Sequence, residues 1–279
     1  MRLHRLRSRE EYESYITRER EALEQHRQIL LALVKSDEQE FEVKGFSYPA
    51  GCEVMFKVDF LWSSVKGQVN WRDRVSCPIT GFTNRWRATI HLFDIELNAY
   101  PDSKIYITEQ MTPLFTYFAD RFNFVIGSEY LGENLAHGSV SASGVRNENL
   151  CDLSFPSASF DILLSFDVIE HVPDFGSVFR ECYRVLRNGG RLHWTVPFSP
   201  HLETNVIRAR IADGEVQHLL PPEYHGDPLC DQGVLCFTHF GWEMLEQVRE
   251  TGFRDIYAVV FHSVEFGYLG EQFQFFAWK

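Results

Sequence analysis

Long hydrophobic runs are missing from these 279 residues. The longest unbroken aliphatic stretch, Ile29 to Val34, falls far short of the roughly 20 residues that span a bilayer. The opening residues Met1-Arg-Leu-His-Arg5 lack the apolar core of a secretory signal. A cytoplasmic location is therefore expected, with no membrane partner. Positive charge is also short: 27 Lys and Arg stand against 39 Asp and Glu, a net charge of −12. Phosphate backbones and anionic lipid surfaces repel such a chain as a whole, so no nucleic-acid partner is expected. Cysteine is thinly spread. Cys52, Cys77, Cys151, Cys182, Cys230 and Cys236 do not form the dense framework of a small secreted scaffold, and free thiols are expected. Internal repeats and low-complexity tracts are absent too.

What is present is an ordinary folding composition, 44% apolar and 24% charged. At roughly 150 residues per domain, the length favours one sizeable α/β domain with an appendage. Residues 8 to 36 read as one helix: Ser8 and Glu11 fit a capping box, and Tyr12, Ile16, Leu23 and Leu30 recur at helical spacings. Its single apolar stripe either lies across the chain's own domain or, given the seven-residue steps from Ile16 to Leu30, pairs with a second copy as a homodimer. From Phe41 to Pro101 the pattern turns to short alternating and aromatic runs broken by Gly, Pro and Asn, which predicts a small β-rich segment.

Beyond Ser103, strand and helix alternate. Strands are expected at Ile105–Ile107, Phe124–Ile126, Phe160–Phe166 and Arg191–Val196, and helices at Leu114–Phe122 and Phe175–Leu186. Strict alternation argues for a parallel sheet covered by helices. A helix at His239–Thr251, a strand at Arg254–Phe261 and an aromatic run Gln272–Trp278 close the chain. A parallel sheet opens its ligand crevice beyond the carboxyl ends of its strands, and Glu109, Glu129, Asp152 and Asp167 all fall at such tips.

The most specific local signal runs from Asp152-Leu-Ser-Phe-Pro through Phe160-Asp-Ile-Leu-Leu-Ser-Phe-Asp167-Val-Ile-Glu170-His171 to Phe179-Arg-Glu-Cys-Tyr-Arg-Val-Leu-Arg-Asn-Gly189-Gly190-Arg-Leu-His-Trp-Thr-Val-Pro197. Over about half the chain, counting the terminal elements, this resembles the class I S-adenosylmethionine-dependent methyltransferases, especially the branch with the quinone-biosynthesis enzymes. The resemblance implies a Rossmann-like, seven-stranded, mostly parallel sheet with helices on both faces. It also implies S-adenosylmethionine as cofactor, with S-adenosylhomocysteine as product. It divides the chain into an N-terminal helix (1–40), an accessory segment (41–101) and a methyltransferase domain (102–279).

By the same resemblance, Glu129 and Tyr130 belong to the second-strand motif, in which the acid accepts from both ribose hydroxyls. A carboxylate suits this because its oxygens only accept. Glu129 lies twenty positions after Glu109, close to the dinucleotide-fold spacing of about 20 residues. Asp152 would accept from the adenine amino group while the Leu153 N–H reaches the ring; alternatively, Asp152 is an ordinary turn residue. Asp167 and His171 would line the cofactor pocket. The first-strand turn departs from the family pattern, since Ile105-Tyr-Ile-Thr-Glu109-Gln110-Met-Thr-Pro113 has no glycine. Glu109 keeps the acid, and Gln110 and Thr112, with the helix start after Pro113, are the candidates for holding the amino-acid carboxylate.

Trp71-Arg-Asp-Arg-Val-Ser-Cys77-Pro-Ile-Thr80 resembles a zinc-ribbon lead-in, but each pair keeps one thiol (Cys52 with Pro49, Cys77 with Thr80), so a metal-free remnant is expected there. The stretch after the fifth strand carries His201, Glu203, His218 and Pro221-Pro-Glu223-Tyr-His225-Gly-Asp227-Pro228. Methyl transfer to a hydroxyl calls for a nearby base, which makes His225, beside Glu223, the catalytic candidate. A rigid loop with a structural His, and a His/Glu/Asp metal site, stay open beside that reading. The expected activity is O-methylation of a small molecule or saccharide. The alternatives are a catalytically silent binding or assembly module and, disfavoured by the Asp152 and Glu170-His171 signals, a nucleotide-sugar or dinucleotide enzyme.

Overall fold

The computed structural model describes residues 1–34, 39–63, 65–227 and 230–279. The end of the N-terminal helical pattern at positions 35 and 36, and Pro228, lie outside the described residues. In chain order the elements begin with β1 (Arg2–Leu6), α1 (Arg9–Arg18), α2 (Arg20–Leu33), β2 (Glu40–Ser47), β3 (Cys52–Asp59), β4 (Val75–Ser76) and α3 (Asn84–Glu96). There follow β5 (Lys104–Ile107), α4 (Pro113–Arg121), β6 (Phe124–Gly127), β7 (Phe160–Phe166), a 3-10 turn at Ile169–His171, α5 (Phe175–Val185) and β8 (Leu186–Thr195). Short strands β9 (Val206–Ile207), β10 (Ala209–Ala212), β11 (Glu215–His218), β12 (Tyr224–Asp227), β13 (Cys230–Leu235) and β14 (Thr238–His239) precede α6 (Glu243–Glu250), β15 (Arg254–Ser263) and β16 (Tyr268–Trp278). No helix among the described residues is long and apolar enough to cross a membrane.

The chain forms two compact units: Met1–Leu6, Glu10–Asn98 and Val259–Phe273 in one, Arg7–Arg9, Ala99–Ala258 and Gln274–Lys279 in the other. The first unit runs across position 40, and the unit changes between Asn98 and Ala99. In the first unit, β2, β3 and β4 make an antiparallel sheet whose alternating residues Phe41, Val43, Val54, Phe56 and Val58 point into a core shared with Val75 and Leu269. Leu30 and Leu33 of α2 pack on that core, so this end of the helical stripe is partly covered within the chain's own unit. The helix expected over 8–36 is two, with Glu19 between them at φ −94°, ψ 10°. The two helices serve different partners: the Tyr15 hydroxyl of α1 donates to Glu271 at 3.0 Å, while His26 of α2 lies against the His262 ring.

The segment 41–101 is β-rich only in its first half, because α3 occupies thirteen of its residues. The Thr83 hydroxyl caps α3 by accepting from the Trp86 N–H. Burial works against the Cys77 thiolate, but hydrogen bonds with Ser47 and Thr80 outweigh it and draw the thiol below its ordinary value.

The seven-stranded sheet has the order β1-β15-β16-β8-β7-β5-β6. Its β6, β5, β7 and β8 strands are mutually parallel, and β16 pairs antiparallel with β8. After β5 the chain goes by α4 to β6 on one side, then returns to β7 on the other, so the strand order reverses at β5. Such a reversal leaves a crevice beyond the carboxyl ends of the two diverging strands. α4 starts there because the Thr112 hydroxyl accepts from the Phe115 N–H and Pro113 occupies the first turn. α5 starts on Asp174 and buries Val178, Phe179, Cys182 and Val185, one stripe at helical spacing.

His193 in β8 is fully buried, with Nε2 2.7 Å from Gln274 Oε1 and its ring stacked on Phe276 at 4.2 Å. Burial lowers its pKa to about 3. Below its unfolded value near 6.5, the unfolded chain therefore takes up a proton that the folded chain refuses, and stability falls as pH drops from about 6.5 toward 3. His193→Phe is expected to flatten that dependence by about one proton. Urea midpoints measured from pH 4 to 7 check this, and parallel pH curves for the two proteins would refute it.

Candidate functional site

The site is built from the segments that follow β5, β6 and β7 in the second unit. Glu109, two residues past β5, is buried. Glu129, two residues past β6, turns its Oε1 back onto the loop after β5, accepting from the Gln110 N–H at 2.7 Å and the Met111 N–H at 2.8 Å. A turn without glycine is thus organised by the neighbouring strand's acid. Asp167 stands immediately past β7 at φ +56°, a left-handed conformation that non-glycine residues seldom adopt, and its Oδ1 accepts from the Thr195 hydroxyl at 2.7 Å. Three acidic residues therefore stand just past the carboxyl ends of β6, β5 and β7, flanking the reversal.

Other expected contacts are already committed inside the protein. The Leu153 N–H, expected to reach the adenine ring, donates to Glu181 Oε2 at 2.8 Å, and the Leu153 carbonyl accepts from Arg184. Burial opposes the Glu181 charge, but Arg184 and the Leu153 N–H outweigh it and hold the carboxyl below its usual range. The Leu153 N–H thus ties the 149–153 turn to α5. The Gln110 side chain donates to Gly144 O at 2.9 Å and accepts from the Arg146 N–H at 2.8 Å, which fastens the 141–146 turn. The Thr112 hydroxyl serves as the α4 cap. Tyr130 is exposed and donates to Glu133, and Asp152 is exposed beside its bridge to Asn149.

Two residues that the motif reading passed over make the floor of the loop after β6. Buried Asn147 accepts from the Leu131 N–H at 2.7 Å, and buried Glu148 accepts from the Ser154 N–H at 2.9 Å and from Arg146. Their only sequence signal is a pair of polar residues in Arg146-Asn-Glu-Asn149, indistinguishable there from a solvated loop.

A second cluster lies beside the β7 tip. His171, in the 3-10 turn after Asp167, places Nδ1 2.9 Å from Leu235 O and meets the His225 ring edge-on at 5.0 Å. Glu223 Oε1 is 3.0 Å from His225 Nε2 and 2.9 Å from His239 Nε2, while Arg208 holds its Oε2 at 3.1 Å. The other ring nitrogen of His225 faces the fully buried Glu170 at 3.6 Å. The Cys236 thiol, then Glu170, raise the His225 pKa to about 11 against the opposing effect of burial, and Glu223 adds to the rise. The sequence reading takes His225, beside Glu223, as the catalytic base; here its Nε2 faces Glu223 and its Nδ1 faces Glu170, both acids of the protein itself. His201, Glu203 and His218, from the same stretch, are exposed.

A family model described as a methyltransferase domain matches residues 113–194, from α4 to the end of β8. The chain is 38% identical over 92 residues to a probable S-adenosylmethionine-dependent methyltransferase of Mycolicibacterium smegmatis, a match covering 31% of this chain and 36% of that one. It is 32% identical over 126 residues to the 27-O-demethylrifamycin SV methyltransferase of Amycolatopsis mediterranei, covering 39% and 46%. These matches span less than half the length of the curated relatives. Among solved structures, an S-adenosylmethionine-dependent methyltransferase from Mesorhizobium loti aligns over 71% of this chain and 98% of its own, with a TM-score of 0.43 and 17% identity.

Proposed function

We propose that this protein is an S-adenosylmethionine-dependent methyltransferase whose acceptor is an oxygen on a small molecule or saccharide. The observation that carries the reading is the set of carboxyl groups, Glu109, Glu129 and Asp167, at the tips of three adjacent parallel strands beside the reversal at β5. The cofactor presents an ammonium group, two ribose hydroxyls and an adenine amino group, all donors, and ionised carboxylates only accept, so the donor set fits the crevice. Glu129 would hold the ribose while bracing the turn after β5, with Glu109 and Asp167 meeting the amino-acid end. When bound, S-adenosylmethionine supplies an electrophilic methyl carbon.

The chain's part is orientation: strand-tip acids fix one reactant so that proximity lowers the barrier. Glu223, bridging His225 of β12 and His239 of β14, holds those two strands together beside the β7 tip. The oxygen acceptor is supported by the polar His- and Glu-bearing stretch next to β7 and by the relative named for 27-O-demethylrifamycin SV.

Calorimetry with S-adenosylmethionine and S-adenosylhomocysteine, followed by transfer of an isotopically labelled methyl group to hydroxylated acceptors, tests the proposal. Saturable binding of both ligands and label in an ether product are expected. A second reading, a silent binding or assembly module, is favoured by one observation: Leu153 N–H, Gln110 and Thr112 are already used within the fold. Absence of binding heat from either ligand would select it.

A further inference from the structure

We propose that Glu223, His225, Cys236 and His239 form a tetrahedral zinc site that pins the β12–β13 hairpin to β14 and to the turn after β7. One donor atom from each of the four lies within 4.8 Å of every other. Zinc bonds of about 2.0–2.3 Å place tetrahedral ligands about 3.3–3.8 Å apart, so the set closes on an ion with small side-chain adjustments. The donors are two imidazoles, a thiol and a carboxyl, the mixed nitrogen, sulfur and oxygen chemistry of a borderline-soft cation.

The local structure explains why they converge. Glu223 and His225 are two apart on extended chain and share a face. Cys236-x-x-His239 is a compact ligand pair across the turn from β13 to β14, and the Cys236 N–H donates to Glu223 O at 2.8 Å, joining the two halves. Cys236 is fully buried.

A separate observation points to a ligand. The Glu170 carboxyl is fully buried with no donor within hydrogen-bonding distance of either oxygen, while His225 Nδ1 at 3.6 Å and His171 Nε2 at 3.8 Å face its Oε1. An unsatisfied acid in such a place is costly. It faces His225 Nδ1 at 3.6 Å, while His225 Nε2 points into the cluster. A small closure of that gap gives the arrangement in which a metal-bound imidazole donates its outer N–H to a carboxylate, which orients the ring and raises its basicity as a ligand. Binding balances as loss of the thiol proton and of any imidazolium protons to solvent, leaving thiolate and carboxylate against the 2+ ion. The sequence assigns no metal ligand in the chain and leaves a His/Glu/Asp site open in the stretch of Glu223 and His225; the ligand set here adds Cys236 and His239 to those two residues. The proposal is independent of the methyltransferase reading.

The test uses the full chain, purified without chelator. Elemental analysis is expected to find about one zinc per chain, and cobalt exchange to give the intense visible bands of a tetrahedral ion with a thiolate-to-metal absorption in the near ultraviolet. Cys236→Ser and His239→Ala should lose the zinc, while Cys77→Ser should keep it. Should the ligand variants fail to fold, Glu170→Gln provides an independent measure: it should weaken zinc retention roughly 10- to 100-fold in chelator competition. Zinc far below one per chain, a cobalt spectrum without thiolate absorption, or metal lost in His171→Ala but kept in Cys236→Ser would each overturn the assignment; the last would move the ion to Glu170, His171 and His225.

Discussion

Glu129→Ala is expected to weaken S-adenosylhomocysteine binding by about 1.5–3 kcal/mol, the range for hydrogen bonds to a charged group, or roughly 10- to 150-fold. Two losses combine. On the proposed cofactor placement the ribose hydroxyls lose an acceptor, and the Gln110 and Met111 N–H groups, which donate to Glu129 Oε1 at 2.7 and 2.8 Å, lose the atom that organises the turn after β5. Glu129→Gln separates them, because the amide keeps one oxygen for the turn while its NH2 cannot accept from ribose. An intermediate affinity for Gln and a lower one for Ala, with thermal midpoints close to wild type, is the expected pattern. Unchanged dissociation constants for both would remove Glu129 from the cofactor site, and equal losses accompanied by melting would make it a structural residue alone.

Arg87→Met should cost roughly 2–4 kcal/mol of folding stability, the largest single-residue effect expected in the first unit. Arg87 is fully buried in α3, donates through Nη1 to Phe266 O at 2.7 Å and through Nη2 to Gly267 O at 3.2 Å and Val75 O at 3.4 Å, and places its guanidinium 3.8 Å from the Phe56 ring centroid. Burial lowers its pKa to about 10, so it stays charged at neutral pH. Methionine fills much of the volume but leaves three carbonyls without this donor, which outweighs the relief of removing a buried charge. Arg87→Lys should recover only part of the loss, since an ammonium group cannot reproduce the flat guanidinium over Phe56. Urea transitions followed by tryptophan fluorescence measure both, and a Met variant within about 0.5 kcal/mol of wild type would contradict the account.

The elements legible in the sequence are those whose pattern is local. β5, β6 and β7, with α4 and α5, match their expected ranges within about two residues because each is a compact apolar run or a single helical stripe between turn residues. α3 was not legible for the opposite reason. It buries Asn84, Arg87, Ala88, Thr89, Ile90, His91, Leu92, Phe93 and Glu96, so polar and apolar side chains alike face inward and no amphipathic stripe appears. β8 starts at Leu186, earlier than expected, because Gly189-Gly190 reads as a turn while the structure carries it within the strand, with the β7 register shifting between Phe160 and Ile162. The hairpins between β9 and β14 were invisible as strands: β11 is exposed throughout and shows no apolar alternation.

The sequence by itself determined the parallel α/β core and the acids at its strand tips, because periodicity and the order of elements are properties of neighbouring residues, and a strand's end places the next side chain at the crevice. Tertiary structure alone decided what those side chains do. It spent the Leu153 N–H on Glu181 and the Gln110 amide on the 141–146 turn, and it turned Glu129 onto the loop after β5. It also brought Glu170, Glu223, His225, Cys236 and His239 together from three separate stretches of chain. Hydrogen-bond partners and ligand sets depend on where distant backbones cross, and spacing along one chain carries no information about that.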